Sequence, residues 1–487
     1  MQPVFRQTWQ AHCRLQYELL PSTHHPQPTN PLSVLIITLI LVILLVLVVA
    51  LILIVLLVLV ILVIALILIV HDFHLLTWNV RIVYLLCGML IHDNRIVIVQ
   101  NRSRRGVYML LIKNGLLYTM ECDRPTNADL LINDGKISKI APEIIPQEGI
   151  QIFDAHGLRV FPGFIDAHSH IGVSQEKTTS QGDECNEGTN PVTPCMRAID
   201  AINPMDSAFH NALAAGITTV MAGPGSANPI GGQFALIKTA GRCIDDMIVM
   251  APAAIKIAFG ENPMSCYGIN GNMPSTRMGI ASLIREELFR AQQYFANRSD
   301  TAKDFSLECY RELFEGKIPL KAHVHRADDI FTAIRIAKEF GLGLTLDHCT
   351  EGHLIAEELA KSGYPAIVGP SLASRSKNEV SQSDFKTAGI LQKSGVLVAL
   401  TTDHPVSRIQ YLPLCAALAA KEEWNEWNAL RAITIDAARI CRIDHRLGSI
   451  AVGKDADLAI FDGNPLEITS KLRATIINGK VVWPIKK

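Results

Sequence analysis

Four apolar segments after residue 160 share one pattern, because each turns polar towards its end and carries histidine or aspartate there. Helix-like segments follow two of them, at residues 328–340 and 352–362. This alternation of apolar strand, polar end and helix predicts a (β/α)8 TIM-like barrel, with functional groups at the carboxyl ends of its strands. The segments are FPGFIDAHSH (161–170), IPLKAHVHR (318–326), LGLTLDHCT (342–350) and VLVALTTDHPV (396–406).

The first segment ends in two histidines, His168 and His170, separated by one residue. Alternate side chains of a strand share a face, so both imidazoles can reach one divalent cation at about 2 Å. Asp166 lies two residues earlier, where a carboxylate would orient a ligating ring. The polar ends therefore predict a site for one or two divalent metals, with Zn as the default and Fe or Mn as alternatives.

These motifs resemble the metal-dependent amidohydrolase superfamily, near its imidazolonepropionase-like branch. The resemblance runs from about residue 109 to the C-terminus and includes a last piece, LGSIAVGKDADLAIFDGNP, at residues 447–465. It implies that His323 and His348 are the third and fourth histidine ligands and that Asp403 is the acid at the end of the last strand. The shared motifs are PGFIDAHSH, AHVHRADD, LDHCTEGH, TTDHPV and the segment 447–465.

The resemblance also implies a further metal ligand from a middle strand, either a carboxylated lysine or a glutamate. Residues 253–262 (AAIKIAFGEN) offer Lys256 and Glu261. The two are five positions apart, so a regular strand would present them on opposite faces and only one would face the barrel interior. We favour Glu261 as the ligand and keep Lys256 as the alternative.

A metal-dependent hydrolase acting on a carbon–nitrogen bond is the function that this resemblance implies. A metal-activated hydroxide would attack the carbonyl carbon, His348 would help polarise the carbonyl oxygen, and Asp403 would act as general base and then general acid. The substrate would be a cyclic amide, a small amide or a dipeptide. Residues 262–279 are predicted to form a substrate-facing loop, which supplies Asn262 and Arg277 as binding candidates, together with His325. The alternatives are a catalytically inactive scaffold and a membrane-tethered domain with a binding role.

Length and charge limit the other possibilities. The 487 residues leave room for a barrel of about 250–300 residues and one smaller domain. A formal net charge of −1 does not favour nucleic acid as a partner. The expected partner is a small-molecule substrate. Whether the chain forms a homo-oligomer stays open. The 11 cysteines form no C-x-x-C pair and fit a reducing compartment.

The N-terminal extension, residues 1–108, contains an apolar segment at residues 34–70. As a helix this segment would measure roughly 55 Å, against about 30 Å of bilayer hydrocarbon. It is interpreted either as a membrane anchor or as part of a non-native extension. As an anchor it predicts membrane association with the catalytic part in the cytoplasm, because arginines are more frequent after it than before it; without it the protein is expected in the cytoplasm. The arginines that follow are Arg81, Arg95, Arg102, Arg104 and Arg105, and those that precede are Arg6 and Arg14.

Strand-rich segments flank the predicted barrel. Residues 109–163 and 443–487 are expected to pair into one small β-sandwich domain, with the barrel at residues 164–442 between them. Three dipeptides signal type I′ hairpin turns. They are Asn114-Gly115, Asp134-Gly135 and Asn478-Gly479.

Overall fold

The computed structural model describes residues 109–176, 183–297, 302–422 and 424–484. The predictions for residues 1–108, including the apolar segment 34–70, lie outside the described residues. Two eight-stranded sheets organise the described part of the chain. The strands are β1 Met109–Leu117, β2 Thr126–Asn133, β3 Lys136–Ala141, β4 Gln151–Asp154, β5 Arg159–Pro162, β6 Phe164–Ser169, β7 Ile217–Ala222, β8 Ile230–Lys238, β9 Ile248–Ala258, β10 Leu320–Val324, β11 Leu344–His348, β12 Ala366–Val368, β13 Val398–Leu400, β14 Leu458–Phe461, β15 Leu472–Ile477 and β16 Lys480–Trp483.

Twelve α-helices lie within the described residues, most of them between strands of the second sheet. None of these helices has both the length and the hydropathy needed to cross a bilayer. The helices are Ser207–Leu213, Ile244–Met247, Glu261–Tyr267, Arg277–Ala296, Phe305–Glu308, Arg311–Phe314, Ala327–Phe340, Ala356–Ser362, Lys386–Lys393, Leu412–Lys421, Glu426–Ala432 and Ile435–Ile440. The predicted helices at 328–340 and 352–362 correspond to Ala327–Phe340 and Ala356–Ser362, the latter preceded by a 3₁₀ turn.

The first sheet takes strands from both flanks of the barrel, in the order β16-β15-β14-β5-β1-β2-β3, with β4 also paired to β1. Residue 456 links the hairpin turns at the two ends of this sheet. The Ala456 amide donates to Gly135 O at 2.8 Å in the β2–β3 turn, and the Gly479 amide, in the β15–β16 turn, donates to Ala456 O at 2.9 Å. The curled sheet encloses its own apolar core, which includes Leu130 and Leu458. The predicted sandwich is therefore corrected to one continuous sheet, in which antiparallel pairing of β5 with β14 joins the two flanks.

Two of the three hairpin signals form tight turns. Asp134-Gly135 and Asn478-Gly479 join neighbouring antiparallel strands, and all four residues have positive φ, as a type I′ turn requires. The prediction at Asn114-Gly115 is wrong. That dipeptide lies within β1, where the pairing with β2 shifts register between Ile112 and Gly115, so the positive φ of Asn114 serves a bulge.

The second sheet is the predicted TIM-like barrel, with strand order β13-β12-β11-β10-β9-β8-β7-β6. It departs from a regular (β/α)8 repeat at β8, which runs antiparallel to both β7 and β9. The glycine-rich segment after β7 turns the chain directly back, and no helix separates β7 from β8. The prediction of eight parallel strand–helix units is corrected to seven parallel strands and one antiparallel strand.

The barrel is joined between its first and last strands through Asp166 on β6. Its carboxylate accepts hydrogen bonds from Thr401 Oγ1 at 2.7 Å, from Thr402 Oγ1 at 2.6 Å and from the Thr402 amide at 3.1 Å. Asp166 therefore does not orient a ligand imidazole, as the sequence analysis expected. It connects β6 to the residues that follow β13, which carry Asp403, and so holds the ends of these strands in place.

Candidate metal centre

The histidines and the aspartate at the strand ends converge within the barrel. His168 and His170 come from the end of β6, His348 ends β11, and Asp403 follows β13. Asp403 Oδ1 lies 3.2 Å from His170 Nε2 and 3.4 Å from His168 Nε2, and Asp403 Oδ2 lies 3.9 Å from His348 Nδ1. All four side chains are buried. Residues separated by up to 235 positions thus meet at one point, as the barrel geometry predicts.

A second cluster adjoins the first and shares His348 with it. One ligand atom from each of His323, His325 and His348 lies within 4.8 Å of the others, and the same limit holds for the set His168, His348 and Asp403. His323 and His325 belong to β10 and the residue after it. The arrangement therefore offers two neighbouring cation positions with one imidazole between them.

The imidazoles of the first cluster are oriented by hydrogen bonds at Nδ1. His170 Nδ1 lies 2.8 Å from Gly223 O, and His348 Nδ1 lies 2.7 Å from Gly369 O. His168 Nδ1 lies 2.8 Å from Asp347 Oδ2. A carbonyl or carboxylate oxygen accepts the Nδ1 proton, so the neutral ring keeps its lone pair on Nε2. This is the tautomer in which histidine binds a metal through Nε2.

The chemistry of these donors fits a divalent cation. His168 Nε2, His348 Nε2 and Asp403 Oδ1 are buried and make no hydrogen bond within the described residues. Buried polar atoms without partners are costly, and His168 Nε2 lies 3.4 Å from Asp403 Oδ1. A cation among them would satisfy all three at once. A set of imidazole and carboxylate ligands suits Zn, Fe or Mn.

The pKa shifts agree with a centre that receives positive charge. Burial lowers the pKa of His348 to about 3 and also lowers that of His168, so both rings are neutral. Burial raises the pKa of Asp403, but the neighbouring imidazoles, His348 foremost, bring it well below its usual value. Burial lowers the pKa of His170, whereas Cys185 and Asp403 together raise it to about 10. A proton on His170 and a metal ion would compete for the same Nε2 lone pair.

The structure separates the two residues that the sequence offered as the middle-strand ligand. Lys256 lies fully buried within β9, and its Nζ makes no hydrogen bond within the described residues. Glu261 begins the helix Glu261–Tyr267, and its Oε1 accepts from the Glu379 amide at 3.1 Å. Glu261 belongs to neither cluster of candidate ligands. The preference for Glu261 is therefore corrected, because the strand ends before it and its carboxylate holds a loop.

Two of the three predicted substrate-binding residues lie at the cavity and one does not. Asn262 and His325 both line a cavity above the metal centre. Asn262 Oδ1 accepts from Lys377 Nζ at 2.9 Å, and His325 Nδ1 lies 2.7 Å from Thr350 Oγ1. The prediction that Arg277 binds substrate in this cavity is corrected. This residue begins the helix Arg277–Ala296, and its Nε lies 3.1 Å from both carboxylate oxygens of Asp329, so it holds that helix against Ala327–Phe340 and is absent from the cavity lining.

Three buried residues at this centre were missed by the sequence analysis. Asp347 contacts His168, Lys321 contacts Asp347, and Glu379 Oε1 lies 3.9 Å from Nε2 of both His323 and His325. The sequence could have indicated Lys321 and Asp347, because charged residues within apolar strand segments need buried partners. It could not have indicated Glu379, because that residue lies on a 3₁₀ turn after β12 in a polar stretch.

Comparisons with known proteins agree with this barrel and its centre. The profile of the Amidohydrolase family matches residues 306–482. The crystal structure of an amidohydrolase from Thermotoga maritima MSB8 is 40% identical, covers 77% of this chain and 99% of that chain, and superposes with a TM-score of 0.75. The amidohydrolase tasK of Hapsidospora irregularis is 28% identical over 411 residues, which make up 74% of this chain and 41% of that protein.

A third relative is the dihydroorotase of Aquifex aeolicus, which is 24% identical over 452 residues, with 77% of this chain and 97% of that protein covered. Together the fold and the relatives define the class, a hydrolase acting on carbon–nitrogen bonds. The chain belongs to the amidohydrolase family, as its motifs indicated.

Proposed function

We propose that this protein is a metal-dependent hydrolase that cleaves a carbon–nitrogen bond of a small, amide-like substrate with activated water. The observation that carries the proposal is a group of buried ligand atoms that have no hydrogen-bond partner among the described residues, namely His168 Nε2, His348 Nε2 and Asp403 Oδ1. In a scaffold that binds no cation, these three buried polar atoms would stay unsatisfied, which lowers the stability of the folded state. A bound cation would satisfy all three.

The residues that would hold the cation are those at the strand ends. His168, His170 and Asp403 would form one position, and His323 with His348 would form the second. When bound, a divalent cation supplies an activated water and polarises a carbonyl oxygen. Lys256, whose Nζ has no hydrogen-bond partner in the part of the chain that the structure describes, would in carboxylated form supply a negatively charged ligand to the cations.

Asp403 is the proposed proton carrier. Its pKa lies well below its usual value, so its carboxylate is ionised at neutral pH and able to accept a proton from the attacking water. Asp403 also lines the cavity, where it would lie next to a bound substrate. It would then return the proton to the leaving nitrogen. His348 lines the same cavity, and as a ligand it would hold the cation that polarises the carbonyl oxygen.

The cavity above the centre favours a small and polar substrate. Its volume is about 260 Å³, and the segment between β12 and the helix Lys386–Lys393 contributes more of its walls than any other part of the described chain. Nine of its 24 lining residues carry a hydroxyl or amide group, four are histidines, and no Phe, Tyr or Trp is among the described residues that form it. Such a site would hold a cyclic amide, a short amide or a dipeptide through hydrogen bonds. The hydroxyl and amide residues are Asn186, Ser226, Asn262, Thr350, Ser371, Ser374, Ser376, Ser383 and Thr387.

The test is metal analysis of the purified full chain together with a hydrolysis screen of cyclic amides, small amides and dipeptides. We expect one or two divalent ions per chain, loss of hydrolysis after chelation, and recovery with Zn²⁺ or Mn²⁺. A protein that binds no divalent metal and hydrolyses nothing in the screen would contradict the proposal. A His348→Ala variant controls for contaminating hydrolases, because it should lose the activity that the wild type shows.

A further inference from the structure

Beneath the candidate centre, Lys321 and Asp347 form a buried ion pair that contacts His168. We infer that Lys321 and Asp347 are positioning residues, which hold His168 with Nε2 directed at the metal. This inference rests on the proposed function only in assuming that His168 is a ligand. It concerns two residues that touch neither the substrate nor the metal position.

Both oxygens of the Asp347 carboxylate have hydrogen-bond partners. Oδ2 lies 2.8 Å from His168 Nδ1. Oδ1 accepts from Lys321 Nζ at 3.2 Å and from Thr345 Oγ1 at 3.2 Å. Lys321 Nζ also donates to Ala167 O at 2.9 Å. Lys321, Asp347 and His168 are each 0% exposed, so solvent does not compete for any of these hydrogen bonds.

Strand register explains why these residues meet. On neighbouring parallel strands, Lys321 pairs with Thr345 and His323 pairs with Asp347. Residues two apart on a strand share a face, so Lys321 and Asp347 point into the barrel on the same side as His323. From there Lys321 reaches across to the backbone of β6 at Ala167, the residue before His168. The ion pair thus joins β10 and β11 to β6, directly below the metal ligands.

The carboxylate decides which nitrogen of His168 carries the proton. An ionised Asp347 can only accept, so Nδ1 must donate, and the lone pair is left on Nε2. Lys321 supplies the positive charge that makes a buried carboxylate tolerable. His170 and His348 donate to neutral backbone carbonyls instead. His168 therefore has the only charged acceptor among the three rings, which raises the basicity of its Nε2.

The chain contains a matched control for this ion pair. Lys238 Nζ lies 2.5 Å from Asp457 Oδ2, and both side chains are nearly fully buried. This second lysine–aspartate pair joins β8 to the residues before β14 and contacts none of the candidate ligands. Asp457→Asn likewise removes a buried carboxylate from a buried lysine, which keeps Asp455 Oδ2 at 3.3 Å as a second partner, without affecting His168.

The first experiment compares the Zn²⁺ affinity of the full-length wild type, Asp347→Asn and Asp457→Asn by competition with a chromophoric chelator. Loss of a carboxylate behind a ligating histidine typically weakens metal binding by about 10–100-fold. We expect that loss for Asp347→Asn and an unchanged affinity for Asp457→Asn. Equal affinities in the two folded variants would overturn the inference, because the ion pair would then be merely structural.

The second experiment needs no destabilising variant. In metal-free, ¹⁵N-histidine-labelled wild type, the His168 ring should have protonated Nδ1 and unprotonated Nε2, with the signal assigned by its loss in His168→Gln. A ring protonated on Nε2 would overturn the inference even if Asp347→Asn fails to fold. The tautomer is measured without metal or substrate, so a protein that hydrolyses nothing would contradict the proposed function alone.

Discussion

Lys256 and Lys321 lie side by side in register on neighbouring strands of the barrel, and only Lys321 has a carboxylate partner. Both are fully buried, and each Nζ lies 5.4 Å from the centre of the Phe234 ring. Lys321 is satisfied by Asp347 and a backbone carbonyl, whereas Lys256 Nζ makes no hydrogen bond within the described residues. A buried amine without a hydrogen-bond partner is costly, so we expect Lys256 to gain a partner or to be modified.

The first prediction is that carbon dioxide carboxylates Lys256. Burial lowers the pKa of Lys256 to about 8, so a sizeable fraction is the neutral amine that reacts with carbon dioxide. We expect a carbamate ¹³C signal in protein incubated with labelled bicarbonate and metal. The signal should disappear in Lys256→Met and persist in Glu261→Gln. A signal that survives in Lys256→Met would place the modification elsewhere.

The second prediction concerns His168 and His170. The double variant His168→Ala, His170→Ala should lose bound metal and still fold, because the barrel core consists mainly of apolar side chains packed around the strands. Metal content and circular dichroism spectra should be measured on the same sample. Full metal retention in a folded double variant would show that the two rings are not ligands.

The third prediction separates catalysis from binding at Asp403. Asp403→Asn keeps the shape and one oxygen but cannot carry a proton at neutral pH. Turnover should fall by about 10²–10⁴-fold, the usual contribution of general acid–base catalysis, with little loss of metal. Steady-state hydrolysis and metal content are both needed. If metal and activity disappear together, Asp403 acts mainly as a ligand, and unchanged turnover would remove it from the mechanism.

The fourth prediction is a pH dependence of stability that arises from Asp455. Burial raises the pKa of Asp455, but ion pairs with Lys136, Lys238 and Arg446 bring it below the ordinary 3.8. The unfolded state therefore binds this proton at higher pH than the folded state, and the free energy of unfolding falls as the solution is acidified.

Denaturant unfolding should show this effect below about pH 5. The wild type should lose stability on acidification more steeply than Asp455→Asn, which has no carboxylate to protonate. The exposed Asp444→Asn serves as control and should follow the wild-type slope. Parallel curves for the wild type and Asp455→Asn would show that the ion pairs do not contribute.

The fifth prediction is that residues 109–487 fold as a unit. Within the described part of the chain, both sheets and their cores are complete from Met109 onward, since β1 begins at Met109 and its neighbours β2, β4 and β5 are all described. A chain that starts at Met109 should be monodisperse and show cooperative unfolding. An insoluble truncation, alongside a full-length protein that is well folded in detergent, would contradict this.

Much of the site could be read from the sequence, because barrel strands are short apolar segments whose last residues face one common edge. His168, His170, His323, His348 and Asp403 were all identified in this way, and the structure brings them together. The same reasoning failed for Glu261 and Arg277. Loop residues have no periodicity, so their spacing does not say whether they begin a helix or line a cavity.

His348 and Asp347 show where strand alternation stops being informative. As neighbours on one strand they should face opposite sides, yet Asp347 contacts His168 and His348 joins the metal centre. The backbone makes this possible, because His348 has φ of 73° and leaves the strand conformation at that point. Positive φ is unfavourable for a residue with a side chain, so surrounding contacts must enforce it.

The sequence by itself determined the barrel, the family and the histidines and aspartate at the strand ends, because these depend on local order along the chain. The tertiary structure decided the buried position of Lys256, the ion pair of Lys321 with Asp347, and the reversed direction of β8. Each of these depends on which side chains share a buried space after the strands have closed. Pairing of charges in that space is set by distances between remote segments, and a linear pattern does not contain such distances.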